Sequence, residues 1–261
     1  MTGVQVLLAV LSGGIVGFTL GLLGGGGSIL AVPLLLYVVG IHNTHVVIGS
    51  SALAVAVNAY MVMIPHWRQR NVNWKAAITF AIPGVLGAFV GSELGKIAPD
   101  KQILFLFAIL MMVVAVWMLR PTKNDSQNPL GSTIHMKIGR VLGTGFIVGV
   151  ISGFFGIGGG FLIVPGLIFA TGMSMIQAIG TSLFSVGTFG LTTAIDYAVS
   201  GFINIWVVIE YVAGGVVGGY FGALLAKRLS RQKRMLTIIF AVIIILVAVY
   251  MLFINIEAIH F

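Results

Sequence analysis

Long apolar runs separated by short polar breaks fill almost the whole chain. Those near 46–64, 76–95 and 102–119, and again near 177–199, 204–226 and 235–256, reach or approach the ~20 residues that take a helix across a bilayer. Two further apolar stretches, 4–40 and 139–171, are broken in two by glycine. The breaks read Gly21-Leu22-Leu23-Gly24-Gly25-Gly26-Gly27-Ser28 and Gly153-Phe154-Phe155-Gly156-Ile157-Gly158-Gly159-Gly160, followed by Pro33 and Pro165 respectively. In lipid, loosened backbone is tolerated only where protein or a water-filled cavity surrounds it. The pattern predicts an all-α integral membrane protein whose glycine breaks have a purpose.

The two halves share one plan. At an offset of 132, Gly17, Gly21, Gly24, Gly26, Gly27 and Pro33 match Gly149, Gly153, Gly156, Gly158, Gly159 and Pro165. One gap later the offset is 131: Ile48-Gly49-Ser50-Ser51 matches Ile179-Gly180-Thr181-Ser182, Asn73 matches Asn204, and Gly84, Gly87, Gly91 and Lys96 match Gly215, Gly218, Gly222 and Lys227. Each half is a broken Gly-rich segment followed by three ordinary spans. The organisation expected is a first repeat at 1–120, a polar linker at 121–138 and a second repeat at 139–261, in one membrane domain. The linker has the Lys, Asn, Asp, Ser and Pro of a loop.

Charge decides how the broken segments lie. If each crossed once, the fourteen Lys and Arg would divide seven against seven. If each returns to its starting side as a hairpin, twelve fall on one side and only Lys96 and Lys101 on the other. The positive-inside rule selects the hairpins. Each half then makes an odd number of crossings, the halves are inverted repeats, and both termini lie outside the cytoplasm of a plasma (inner) membrane protein. The second legs, 28–40 and 161–171, are too short to span, so the tips are expected to meet near mid-depth.

Composition narrows the chemistry. The chain is 59% hydrophobic and 8% charged, with mean hydropathy +1.12, beyond what a soluble domain buries. Met1–Val10 lacks the basic start of a signal peptide. There is no cysteine, which excludes disulfides, thiol catalysis and Cys-ligated metals. No His-Glu-x-x-His, no paired intramembrane carboxylates and no nucleophile with a matched base point to an enzyme. The net charge of +8 belongs to loops that orient the chain, not to a nucleic-acid surface. A dinucleotide reading of the glycines fails, because no strand precedes them and no acidic residue follows about 20 residues on.

Each hairpin tip starts a half-helix, at Ser28 and near Gly160. A helix start exposes N–H groups and about half a positive charge, so two starts aimed at one place make an anion site. The candidate binding residues are Gly24, Gly25, Gly26, Gly27 and Ser28 with Gly156, Gly158, Gly159 and Gly160. Ser28 is placed to cap its half-helix. Ser50, Ser51, Thr181 and Ser182 begin the next spans, and two roles are open to their hydroxyls: bonds to an oxyanion, or back-bonds to their own helix. Asn58, deep in a span and with no polar counterpart in the second half, is a ligand contact or interhelical glue. Asn73 and Asn204 read as helix caps. The remaining glycines, Gly13, Gly14, Gly17, Gly84, Gly87, Gly91, Gly214, Gly215, Gly218, Gly219 and Gly222, are expected to serve close helix packing. Glu210, two turns into a span, is the candidate for ion coupling. No cofactor or metal is expected.

These residues resemble the TauE/SafE, or sulfite exporter, family of membrane transporters. The likeness rests on Gly21-x-x-Gly24-Gly25-Gly26-Gly27 with Pro33, its repeat Gly153-x-x-Gly156-x-Gly158-Gly159-Gly160 with Pro165, and the Gly49-Ser50-Ser51 and Gly180-Thr181-Ser182 turns. It covers nearly the whole chain. Gly25 departs from the repeat, since Ile157 stands in its place in the second copy. The resemblance implies a substrate class of small anions, including sulfite and organosulfonates such as sulfoacetate, moved outward. The function expected is a secondary transporter of such an anion by alternating access, with an anion channel of the same architecture as the alternative. Its expected partners are the anion, the lipid bilayer and a second copy in a homodimer.

Overall fold

The computed structural model of the chain describes residues 3–119, 138–156, 160–228 and 233–254. Among them nearly every residue is helical and none is in a strand. Helix α1 is Gly3–Leu23; a 3₁₀ stretch Gly24–Leu30, the short α2 at Ala31–Pro33 and a π-helical turn at Leu34–Val38 complete the first broken segment. Then come α3 (Thr44–Arg68), α4 (Trp74–Ile97) and α5 (Asp100–Leu119). The second half gives α6 (Ile138–Phe155), α7 (Gly160–Thr171), α8 (Met175–Val199), α9 (Ile205–Arg228) and α10 (Lys233–Ile254). Among the described residues, seven helical segments are long and apolar enough to cross a membrane. The 121–137 linker lies outside the described residues.

Both broken segments fold back on themselves. The Gln5 side-chain amide, in the second residue pair of α1, donates to the Val39 carbonyl at 3.4 Å, although 34 residues separate them. In the second half the Arg140 guanidinium lies 6.0 Å from the Phe169 ring centroid, so the start of α6 meets the end of α7. Asparagines start the spans that follow: Oδ1 of Asn43 accepts the Val46 N–H at 3.1 Å, Asn73 that of Ala76 at 3.0 Å and Asn204 that of Trp206 at 3.1 Å. Each satisfies a helix-start donor that has no intrahelical partner.

Glycine lets the helices approach to backbone contact. A Cβ on Gly13, Gly17 or Gly21 of α1 would overlap the backbone of Tyr211, Gly215 or Gly219 on α9. The matched glycines of α6, Gly145, Gly149 and Gly153, meet Phe80, Gly84 and Ala88 on α4 in the same way. From the other side, Gly87 and Gly91 of α4 press on Phe146 and Val150, while Gly218 and Gly222 of α9 press on Gly14 and Phe18. Every contact named here recurs between the matched residues of the opposite halves. Such reciprocity is what a two-fold relation between two similar surfaces produces. The packing expected of these glycines is thus observed; Gly14 has the most room for a side chain, since a Cβ there would stand 3.7 Å from the Gly214 carbonyl.

Within this unit α1 and α9 run parallel, as do α4 and α6, because their contacts advance together along the chain. The matched helices α3 and α8 run antiparallel: Gly190 lies against Ala52 and Ala56, and Gly187 against the ring of Tyr60, whose hydroxyl lies 3.2 Å from that of Thr188.

Compactness does not follow the repeat boundary. Residues 1–97 with 135–227 form one compact unit, and 98–134 with 228–261 form a second. In the second unit α5 and α10, the last helices of the two repeats, pack on one another.

Candidate functional site

Each glycine break is a built turn. At the end of α1 the chain reverses through Gly24, whose φ of +69° lies in the left-handed region that side chains disfavour. Its partner in the second half, Gly156, has φ +64°. Both turns are seated on the opposite repeat: Gly24 on Ile179 in the second turn of α8, and Gly156 on Ile48 in the second turn of α3. A side chain at either position has neither the backbone angle nor the room.

At the first turn Gly24–Leu30 is wholly buried. The Gly25 N–H donates to the Ser182 hydroxyl at 3.4 Å. Ser28 does not cap a half-helix; its hydroxyl donates to the Gly25 carbonyl at 2.9 Å and tightens the 3₁₀ turn. Gly27 presses on the backbone of Thr19 and Leu20, whereas a Cβ added to Gly26 would meet only the Leu23 side chain, at 3.6 Å. The ring of buried His66 lies 3.3 Å from the Gly21 carbonyl.

At the second turn the chain passes Gly156 and resumes as α7 at Gly160. Gly158 and Gly159 lie outside the described residues, as does Ile157, the match of Gly25. Ser51, the match of Ser182, donates to the Ile48 carbonyl at 3.0 Å, just as Ser182 donates to Ile179 at 2.8 Å. Of the two roles open to these two hydroxyls, back-bonding is observed for both.

Ser50 and Thr181 do something the sequence did not announce. The Ser50 hydroxyl accepts the backbone N–H of Asn204 at 2.9 Å, and that of Thr181 accepts the N–H of Asn73 at 3.0 Å. Each fastens the start of one repeat's long helix to the loop of the other repeat.

The structure does not bring the two glycine turns together. Gly49 packs against Tyr197, which places Ile48 level with the end of α8, whereas Ile179 lies near its start. From Ile179 to Tyr197 is about 27 Å along the helix at 1.5 Å per residue. The turns therefore occupy opposite ends of the α3–α8 pair, and in this conformation they form no shared mid-depth pocket. The reason is the length of the first leg: α1 has 21 residues, about 31 Å, and reaches the far end before it breaks. What the halves do share is packing of α7 against Gly24–Leu30.

Asn58 is fully buried, and both heteroatoms of its amide are without a hydrogen-bond partner among the described residues. It lies against Gly215 of α9. Glu210 sits in the second turn of α9 with Oε2 buried and equally unpartnered. Two other groups escaped the sequence reading. The Tyr211 hydroxyl is buried and has no hydrogen-bond partner among the described residues, and Tyr gives no signal in a pattern of apolar spans. Lys96, paired at 2.9 Å with Glu93 three residues before it, also reaches across to Asp196 in the second repeat at 2.8 Å. In the sequence, Lys227 matches Lys96, but Pro65 stands where Asp196 would be matched. Among the described residues no group of three or more His, Cys, Asp and Glu is placed to hold a metal.

Comparison with known proteins agrees with this architecture. The model of the family described as "Sulfite exporter TauE/SafE" matches residues 9–251. A protein of Xylella fastidiosa named "Probable membrane transporter protein" is 48% identical over 252 residues, covering 97% of each chain. A Haemophilus influenzae protein of the same name is 31% identical over 76% of each chain, and "Probable membrane transporter protein YunE" of Bacillus subtilis is 25% identical over 94% of this chain and 95% of its own. No solved structure matches.

Proposed function

Because the chain belongs to the sulfite exporter TauE/SafE family, we propose that this membrane transporter is a secondary carrier of a small anion such as sulfite or an organosulfonate, and that it moves its substrate outward by alternating access. The observation that carries the reading is the pair of matched glycine turns at the two ends of the antiparallel α3 and α8. Family membership supplies transport and excludes an enzyme; the anion, the direction and the site are our inference.

In this reading the two repeats are inverted and the matched turns are the two ends of one pathway. Arg68, Arg70, Lys75 and Arg140 share one end of the helices described, by the parallel course of α4 and α6. Lys96 is at the other end. By the positive-inside rule the first end is cytoplasmic and the N-terminus is external. Gly24–Gly27, Ser28 and Ser182 would then line the inner approach, and Gly156, Gly160 and Ser51 the outer one. Backbone N–H groups at such turns favour an anion without a buried cation. Ser50 and Thr181 latch the two ends. A negative-inside potential drives an anion outward, so export needs no coupling; Glu210 would take a coupling proton if uptake were the physiological direction.

Counterflow tests the proposal. Proteoliposomes containing the purified chain should take up labelled sulfite or sulfoacetate faster when loaded with the same anion inside. An anion channel would pass current without such acceleration, and absence of both would exclude anion transport.

A further inference from the structure

Three matched pairs set the two halves against each other. Gly84 of α4 corresponds to Gly215 of α9, Phe80 to Tyr211, and Phe189 of α8 to Asn58 of α3, all at an offset of 131. At one α4–α8 contact between the repeats, Phe189 fills the notch at Gly84 and stacks on Phe80, one turn earlier on α4, with ring centroids 6.2 Å apart and planes 20° from parallel. At the matched α9–α3 contact, Asn58 fills the notch at Gly215, and Tyr211 precedes that glycine by four residues on the same face of α9. An apolar stacked pair has become an amide and a phenol.

All four side chains are fully buried. The Phe pair is satisfied by packing alone. The polar pair is not: Asn58 Nδ2, Asn58 Oδ1 and the Tyr211 hydroxyl have no hydrogen-bond partner among the described residues. Leaving such groups unmet opposes folding, and replacing both by apolar groups of similar shape would remove the penalty. The matched Phe80–Phe189 contact demonstrates that the architecture accepts apolar groups in these places. The polar pair is therefore not required to hold the helices.

We propose that Asn58 and Tyr211 are a recognition pair for the oxygen atoms of a small oxyanion, placed where the matched contact closes its notch with phenylalanine. The inference rests on the anion-transport reading above and gives that reading an interior site between the two glycine turns. Asn58 offers two N–H donors and an acceptor, and Tyr211 one O–H donor. Neutral donors in a water-poor interior hold an anionic oxygen well, yet bring no fixed charge to trap it. Asn58 lies near the middle of α3, at a depth where a carrier's substrate is exchanged between two ends. In this conformation the Gly215 backbone rests directly on the Asn58 amide. The ligand is admitted when α9 moves off α3, which the absence of a side chain at Gly215 allows.

The repeat supplies its own control. The Asn58→Phe/Tyr211→Phe double variant rebuilds at the α3–α9 contact the pair already present at the matched α8–α4 contact. Full-length wild type, Tyr211→Phe and the double variant are compared in detergent by thermal shift with sulfite, sulfate and sulfoacetate, then by flux in proteoliposomes. Wild type should be stabilised by at least one anion. Tyr211→Phe, which keeps its shape and loses one hydroxyl, should bind that anion about tenfold more weakly. The double variant should lose the shift and the flux while its ligand-free melting temperature equals or exceeds that of wild type. If wild type responds and both variants match its affinity and flux, the recognition pair is refuted and anion transport stands. If wild type neither responds nor transports any of the three, the anion reading falls and this site with it.

Discussion

Ser50 accepts the backbone N–H of Asn204 at 2.9 Å, a bond from the first repeat to the second. Thr181 repeats it with Asn73 at 3.0 Å, at the opposite end of the antiparallel α3 and α8. The serine and the threonine share only a hydroxyl, so the hydroxyl is the working part. Ser50→Ala leaves a part-buried amide without its acceptor and should cost on the order of 1–2 kcal/mol. Ser50→Thr should retain stability, because threonine already does this work at 181. Thermal unfolding of the three purified proteins decides it: equal losses for Ala and Thr would mean that the hydroxyl is irrelevant.

The glycine seams make a sharper demand. A Cβ at Gly17 or Gly149 would collide with backbone on the neighbouring helix, where no side chain can swing away. Gly17→Ala and Gly149→Ala should each destabilise by about 1–3 kcal/mol or more and lower the yield of monodisperse protein. Gly143, on α6 as well, has open space around it. Gly143→Ala should be neutral or slightly stabilising, since alanine is the better helix former.

Lys96 distinguishes a structural ion pair from an incidental one. Asp196 retains 7% side-chain exposure and Lys96 16%, whereas Glu93 retains 50%. Lys96→Met should cost on the order of 2–3 kcal/mol, less than for a wholly buried pair, by leaving Asp196 without its cation. Glu93→Gln should cost no more than about 0.5 kcal/mol. The Lys96→Met/Asp196→Asn double variant should recover part of the loss in a double-mutant cycle. Strict additivity would show that the two residues do not act together.

Topology can be read without removing any native thiol, because the chain has no cysteine. The rings of His45 and Phe202 lie 5.3 Å apart, so the loops around 43 and 200 share one end of the helices. Single cysteines at 43 and 200 should react with an impermeant maleimide from outside intact cells, and those at 70 and 233 only after permeabilisation. Finding 43 and 70 on the same side would refute the arrangement.

Much of this molecule was legible in the sequence because membrane spans and glycine turns write themselves in composition. The spans, the fold-back of the broken segments, the caps at Asn73 and Asn204 and the packing role of Gly17, Gly84 and Gly215 all follow from apolar length, polar breaks and missing side chains. The depth of the glycine turns does not follow from the short second legs; it is set by the first leg, α1, whose 21 residues are already long enough to cross. The Ser50–Asn204 and Lys96–Asp196 bonds join residues 154 and 100 positions apart, and no local pattern encodes such partners. Tyr211 was invisible for a different reason. Its oddity is apparent only beside Phe80, once the two helices are known to occupy matched places.

The reciprocal seams have a mechanical consequence. Because each half rests on the other through the same set of touching backbones, a side chain added on one seam meets the same obstacle as its match on the other. The strain of any such addition falls on two equivalent surfaces, which differ in side-chain chemistry where Asn58 answers Phe189 and Pro65 answers Asp196.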